Sequence, residues 1–382
     1  MAGKRSIFEE VESAEKRAAT PGALSAGRAG RGRAFARGWL MVLFALVVGM
    51  IVVGGLTRLT DSGLSITEWA PLSGALPPLS AADWQAEFAA YQETPEFQLQ
   101  NSAMTLEAFK TIFWWEWGHR QLGRVVGLVW FAGFAFMALT ARMPRGWSGR
   151  FLFIGALGGL QGAIGWWMVY SGLQEGMVDV ASYRLAVHLG LAFLILAFIA
   201  WYAFRLGREE AELMGARRDR DTRLQGWCDD LLILAFLQII LGALVAGIDA
   251  GRLFPDWPLM AGEFFPPYMW SLYEPVWRNL FENAGTVQFF HRLLGYGLAL
   301  VALGAMIAAR RSGRIASRGA LQVAGAMVLL QAVLGIVTVI YSSPLELAIV
   351  HQLGAVLTVV LILRARFLAI HPLAQSVRGR AT

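Results

Sequence analysis

Two short stretches hold the residue types from which chemistry is made. "FWWEWGHRQLGR" (113–124) sets Glu116, His119 and Arg120 at the mouth of an apolar run, and "VQFFHRLLGY" (287–296) sets Gln288, His291 and Arg292 in the same order. Residues three apart on a helix share a face, so Glu116 points where His119 points, and Gln288 where His291 points. Glutamine keeps the size of glutamate but cannot act as a base. The pattern predicts two sites alike in their histidine and different in one carboxylate, one that holds its ligand and one that acts on it.

Of the five histidines, His188 in "LAVHLGLAF" and His351 in "LAIVHQLGAV" also open apolar runs, while His371 falls in the C-terminal tail and is expected in solvent. Ionisable groups in spans are costly and usually functional. Two neutral imidazoles facing each other across a bundle can bind a metal or, axially, a haem iron. Zinc fits less well, because its usual further ligands are missing from the runs. Gly123 and Gly295 stand one turn after His119 and His291. They leave room for a flat ligand, or serve close helix packing, which small residues do equally. Arg120 and Arg292 could pair with haem propionates near the aqueous boundary, or snorkel to it.

Helices must position these groups, and the composition says in what solvent. Hydrophobic residues make up 56% and charged residues 16%, against about 25% charged in soluble domains. That leaves too little polar surface for a water-exposed globule, and an integral membrane protein is the class implied. Eight stretches approach the roughly 20 residues that span a bilayer core, at 38–57, 122–141, 151–171, 184–204, 230–248, 290–309, 319–341 and 346–363. Lys and Arg gather before 38, in 142–150, 205–223 and 310–318, and after 364; the intervening loops are rich in Asp, Glu, Trp and Pro. By the positive-inside rule both termini are cytoplasmic, and the four span histidines lie near the outer face. The net charge of +6 belongs to those inner loops and implies no nucleic-acid partner. A single cysteine, Cys228, excludes an internal disulfide and a cysteine-rich metal site. The acids in "FEEVESAEK" argue against a mitochondrial transit peptide, so 1–37 is expected to be a disordered cytoplasmic tail.

The chain repeats itself. "LQGAIGWWMVYSG" (160–172) parallels "LQAVLGIVTVIYSS" (330–343), and "TEWAPLSGALPP" (67–78) has an echo in "PDWPLMAGEFFPP" (255–267). The expected fold is an all-α integral membrane protein of eight transmembrane helices, arranged as two tandem pseudo-symmetric four-helix bundles about an axis along the membrane normal. The halves are 38–204, with a large outer loop at 58–112, and 230–367; a cytoplasmic linker (205–229) joins them and a tail (368–382) follows.

At "GGLTRLTDSGLSITEWAPLSGALPPL" (54–79), "WWEWGHRQLGR", "HLGLAF", "FFHRLLGY" and "VHQLGAVLT" the chain resembles the haem A synthase family, in its proteobacterial and mitochondrial branch. The likeness runs from about 38 to 367, and the long first outer loop is its most specific part. It implies an eight-span enzyme of a bacterial inner membrane that oxidises a ring methyl of haem O to the formyl of haem A for cytochrome oxidase. It further implies a resident haem b on His291 and His351, substrate haem O facing His119 and His188, and Glu116 as the essential carboxylate. Haem O synthase, a redox partner and a second copy of the chain are the partners to expect. Some relatives carry a cysteine pair in the first outer loop; this chain has none there, so no role of such a pair applies.

Two other readings use the same residues. A non-enzymatic membrane cytochrome b would pass electrons between two haems on these histidines, but two haems at one depth make no wire across the membrane. A haem carrier would need a route between leaflets and no resident cofactor. The difference between Glu116 and Gln288 and the size of the first outer loop favour a substrate site.

Overall fold

In the hydrocarbon of a bilayer every backbone N–H and C=O must be paired within the protein, which leaves the helix as the economical solution for long apolar runs. The computed structural model describes residues 21–71 and 73–375. Among them are eight long helices: α1 (Pro21–Leu59), α2 (Leu106–Leu139), α3 (Ser148–Gly172), α4 (Ser182–Leu206), α5 (Thr222–Gly247), α6 (Ala284–Ala309), α7 (Ile315–Ile340) and α8 (Leu345–Ile370). Each is long and apolar enough to cross a membrane, and the protein is a multi-pass membrane protein.

The helices outrun their apolar stretches. Where 122 is the expected start of the second span, α2 begins at Leu106, capped by Thr105 accepting from Ala108 N–H. An apolar run stops at Glu116, His119, Arg120 and Arg124, but backbone hydrogen bonding continues through them, with loop groups satisfying Glu116, Arg120 and Arg124. Helix α1 reaches back to Pro21, so the expected tail is helical from there; residues 1–20 lie outside the described part. The expected linker holds a helix of its own, Glu210–Arg218, and Asp221 caps α5 by accepting from Leu224 N–H. His371 is not in solvent. It is 9% exposed, its Nδ1 lies 3.1 Å from the Leu213 carbonyl, and Leu213 itself packs on Phe367 and Leu368.

Helices α1 to α4 pack in a ring that closes α4 on α1, and α5 to α8 do the same; the rings meet along α1, α4, α5 and α8. One core crosses that seam, with Leu40 and Leu43 of α1, Leu196 and Ile199 of α4, and Val359 and Leu363 of α8 in a single cluster. At the outer end of the seam Arg58 pairs with Asp249 at 2.8 Å and with Asp61 at 2.7 Å, and Asp179 lies at 3.7 Å. The first outer loop carries helices Ala81–Gln92 and Pro95–Leu99 and seals itself on α2 through buried Phe88, Tyr91, Phe109 and Phe113.

Candidate active site

Each even-numbered helix carries one of the four histidines, His119 on α2, His188 on α4, His291 on α6 and His351 on α8. Each imidazole rests on a glycine of the helix before it. A β-carbon added to Gly54 would stand 3.0 Å from His119 Nε2; one on Gly165, 2.9 Å from His188 Cε1; on Gly242, 3.1 Å from His291 Cε1; on Gly335, 3.0 Å from His351 Cε1. A β-carbon would clash at Gly165 and force the ring to give by a few tenths of an ångström at the other three.

These four glycines escaped the sequence reading, which singled out Gly123 and Gly295 instead. In the structure those two serve packing: a β-carbon would lie 3.7 Å from Met50 Cε at Gly123 and 3.3 Å from Gln238 Nε2 at Gly295. The missed signal was a repeated Gln-x-x-x-Gly, at 161–165, 238–242 and 331–335. Each of these glutamines reaches the histidine that its glycine seats. Gln161 Nε2 donates to the His188 carbonyl at 3.0 Å and lies 3.2 Å from both ring nitrogens, and Gln238 stands identically to His291. Gln331 Nε2 lies 3.1 Å from His351 Nδ1 and donates to the His351 carbonyl.

Glu116 is 3% exposed. Its Oε2 accepts from Ser65 Oγ at 2.8 Å and from Ile66 N–H at 2.9 Å; its Oε1 accepts from Arg120 Nη2 at 2.6 Å and Nε at 3.1 Å. All the acceptor capacity of a carboxylate is thereby engaged. The same arginine donates to the carbonyls of Ile66 and Glu68, and one turn on, Arg124 donates to those of Ala70 and Pro71. One face of α2 thus staples residues 65–71 of the loop that follows α1. Arg124 and Ser65 carry no sequence signal of this role, since the loop's path is set by tertiary structure.

The second half keeps the staple and drops the acid. Arg292 donates to the carbonyls of Phe254 and Leu259 at 2.7 and 3.0 Å, and Gln288 Nε2 shares the Phe254 carbonyl at 3.2 Å. Arg292 Nε and Gln288 Oε1 have no partner among the described residues. Both arginines expected as propionate partners are therefore occupied by loop carbonyls, and pairing with a propionate would require those clamps to open.

The donor set fits a haem better than a bare ion. Among the described residues no group of three or more His, Cys, Asp or Glu side chains could enclose a metal, whereas two imidazoles per half, each cradled by a glycine, suit the two axial positions of a haem iron.

The family model for "COX15-CtaA: Cytochrome oxidase assembly protein" matches residues 37–363. The chain is 62% identical to a protein named "Heme A synthase" of Jannaschia sp. (strain CCS1), over 100% of both chains. It is 58% identical to one so named in Ruegeria sp. (strain TM1040), over 98% of this chain and 99% of that one, and 54% identical to one in Paracoccus denitrificans (strain Pd 1222), again over 98% and 99%. Taken with eight apolar helices and four glycine-seated histidines, these matches place the chain in the COX15-CtaA family of cytochrome oxidase assembly proteins.

Proposed function

We propose that the chain is a haem A synthase, which oxidises a ring methyl of haem O to the formyl group of haem A. The observation that carries this reading is the buried carboxylate beside one histidine pair only: Glu116 accompanies His119, and Gln288 accompanies His291. The net change at the ring carbon gains one oxygen and loses two hydrogens, so a positioned base is needed on the side where substrate sits and is superfluous where a haem is merely held.

His119 and His188 orient haem O by its iron. Glu116 accepts a proton as the methyl is oxidised; Ser65 Oγ and Ile66 N–H aim its Oε2, and Arg120 balances its charge. His291 and His351 hold a resident haem b, which when bound supplies one-electron exchange. The Lys and Arg bias of the loops supports cytoplasmic termini and sites near the outer face; for a bacterial chain that membrane is the inner one. Haem O synthase catalyses the reaction that must supply the substrate; with water as oxygen donor, conversion of the methyl to the formyl group releases four protons and four electrons, and the electrons leave to a redox partner.

The test uses membranes of cells that lack their own haem A synthase but make haem O. This chain is expressed in them, non-covalent haem is extracted, and types B, O and A are separated by chromatography. Haem A or its hydroxymethyl precursor is the expected product. Haem B alone, with haem O untouched in folded and haem-loaded protein, would assign the chain to the electron-transfer cytochromes.

A further inference from the structure

The four histidine seats are alike in their glycine and unlike in what stands one turn before it. Gln161 precedes Gly165, Gln238 precedes Gly242 and Gln331 precedes Gly335, but Met50 precedes Gly54. The correspondence of Met50 with Gln238 holds from a second direction, since Gly123 faces Met50 just as Gly295 faces Gln238. Three of the four imidazoles therefore have a carboxamide beside them, and at the matched position of the His119 seat stands a thioether.

The orientation of each carboxamide follows from its partner. A backbone carbonyl only accepts, so the nitrogen must be the atom on the carbonyls of His188, His291 and His351. That leaves the oxygen. Oε1 of Gln161, of Gln238 and of Gln331 is buried and has no hydrogen-bond partner among the described residues. One orphaned buried carbonyl would be unusual, and three at matched positions point to a partner of one kind. An imidazole supplies it. When one ring nitrogen binds iron, the other must carry a proton and donate it, and such ligands nearly always donate to an oxygen outside the coordination sphere. A small turn of ring or amide brings that N–H to Oε1 while Nε2 stays on the backbone carbonyl.

We propose that Gln161, Gln238 and Gln331 are positioning residues for His188, His291 and His351, each accepting the ring N–H on Oε1 when the histidine is an iron ligand, and that His119, facing Met50, is the labile ligand of the four. The proposal rests on the reading of these histidines as haem ligands. It deepens that reading by saying which half keeps its haem. The second half has two ligands fixed in orientation, as a resident cofactor requires. The first has one fixed ligand and one exchangeable ligand, and the exchangeable one sits on the helix that carries Glu116, where substrate must enter and product must leave.

The full-length protein, purified in detergent with its haem, gives the test through midpoint potential and through the rate of haem transfer to excess apomyoglobin. Gln331→Leu removes the acceptor, which should raise the potential of the second-half haem and speed its loss about 10–100-fold. Gln331→Glu offers a stronger acceptor and should lower the potential. Opposite signs from the two variants are the signature, because a packing defect would move both in one direction. Met50→Gln should slow transfer of haem O from the first half about tenfold, and Met50→Leu should leave it unchanged. Potentials that ignore residue 331 in a protein still showing a bis-histidine spectrum would overturn the assignment of the glutamines. Unchanged haem O transfer in Met50→Gln would overturn that of His119. A wild-type protein with no bis-histidine haem at all would instead refute the underlying reading.

Discussion

Gln352, the neighbour of His351 on α8, donates its side-chain amide to the backbone oxygen of Ile51 on α1 at 2.6 Å, and its Oε1 fills the space that a β-carbon on Gly55 would need. Gly55 adjoins Gly54, the seat of His119. Two histidines from different halves are thus joined through one side chain and one pair of glycines.

Gly55→Ala should therefore injure both halves together. Overpacking of a well-filled contact costs about 1–3 kcal/mol, and the displaced Gln352 would carry strain to His351. Haem content at both sites and the midpoint of thermal unfolding in detergent should fall. Gly49→Ala is the control, since its β-carbon would meet Leu122 at an ordinary 3.7 Å. Equal tolerance of the two changes would show that the contact transmits nothing.

Glu116 both pins a loop and sits where a base is wanted, and two variants separate these roles. Glu116→Gln should leave haem bound and lower conversion by about 10²–10⁴-fold, the usual contribution of a general base. Ser65→Ala removes one of the hydrogen bonds to the same carboxylate and should lower conversion only about tenfold. Chromatography of the extracted haems reads both. Equal losses would mean that the carboxylate matters as an anchor of the outer loop.

Arg58 faces three acids from three different loops, Asp61, Asp179 and Asp249. Arg58→Ala leaves those negative charges facing one another across the seam. A loss of about 1–3 kcal/mol is expected, seen as a lower unfolding midpoint that high salt partly restores. An unchanged midpoint would relegate the cluster to decoration.

The first outer loop should have a pH dependence of its own. Glu96, in the helix Pro95–Leu99, is 3% exposed, and burial, reinforced by the negative fields of Asp179, Glu116 and Asp61, pushes its carboxyl from an ordinary 4.5 up to about 8. The folded protein then holds this proton more tightly than the unfolded chain does. The stability tied to it is complete below about 4.5, declines as pH rises and is lost by about 8. Glu96→Gln should unfold at a higher temperature than the parent at pH 8 and at nearly the same temperature at pH 5. A gap of the same size at both values would exclude Glu96 as the titrating group.

The eight helices, the four histidines and the contrast of Glu116 with Gln288 were legible from the chain because each depends on spacing along one helix or on apolar runs. Helix ends were not, since α2 continues through Glu116 and Arg120 on the strength of partners from a loop some fifty residues earlier. The glycine seats were hidden for a related reason. Gly165 and His188 belong to different helices, and nothing in one stretch says which residue of another will lie against it. His371 shows the same limit from the other side: a polar residue near a terminus reads as solvated until Leu213 is folded over it.

The cluster in which Leu40 and Leu43 meet Leu196, Ile199, Val359 and Leu363 decides how far the two rings of helices can be separated. The first half completes its interior with Val356, Val359 and Leu363 of α8, whereas the second keeps a cluster of its own around Leu224, Leu231, Leu298, Leu321 and Ile362. Expressed alone, the first half would present to lipid a surface shaped for α8. The packing of α1 is finished only when α8 lies against it. The dependence therefore runs one way: the frame of the first site is finished by the second half.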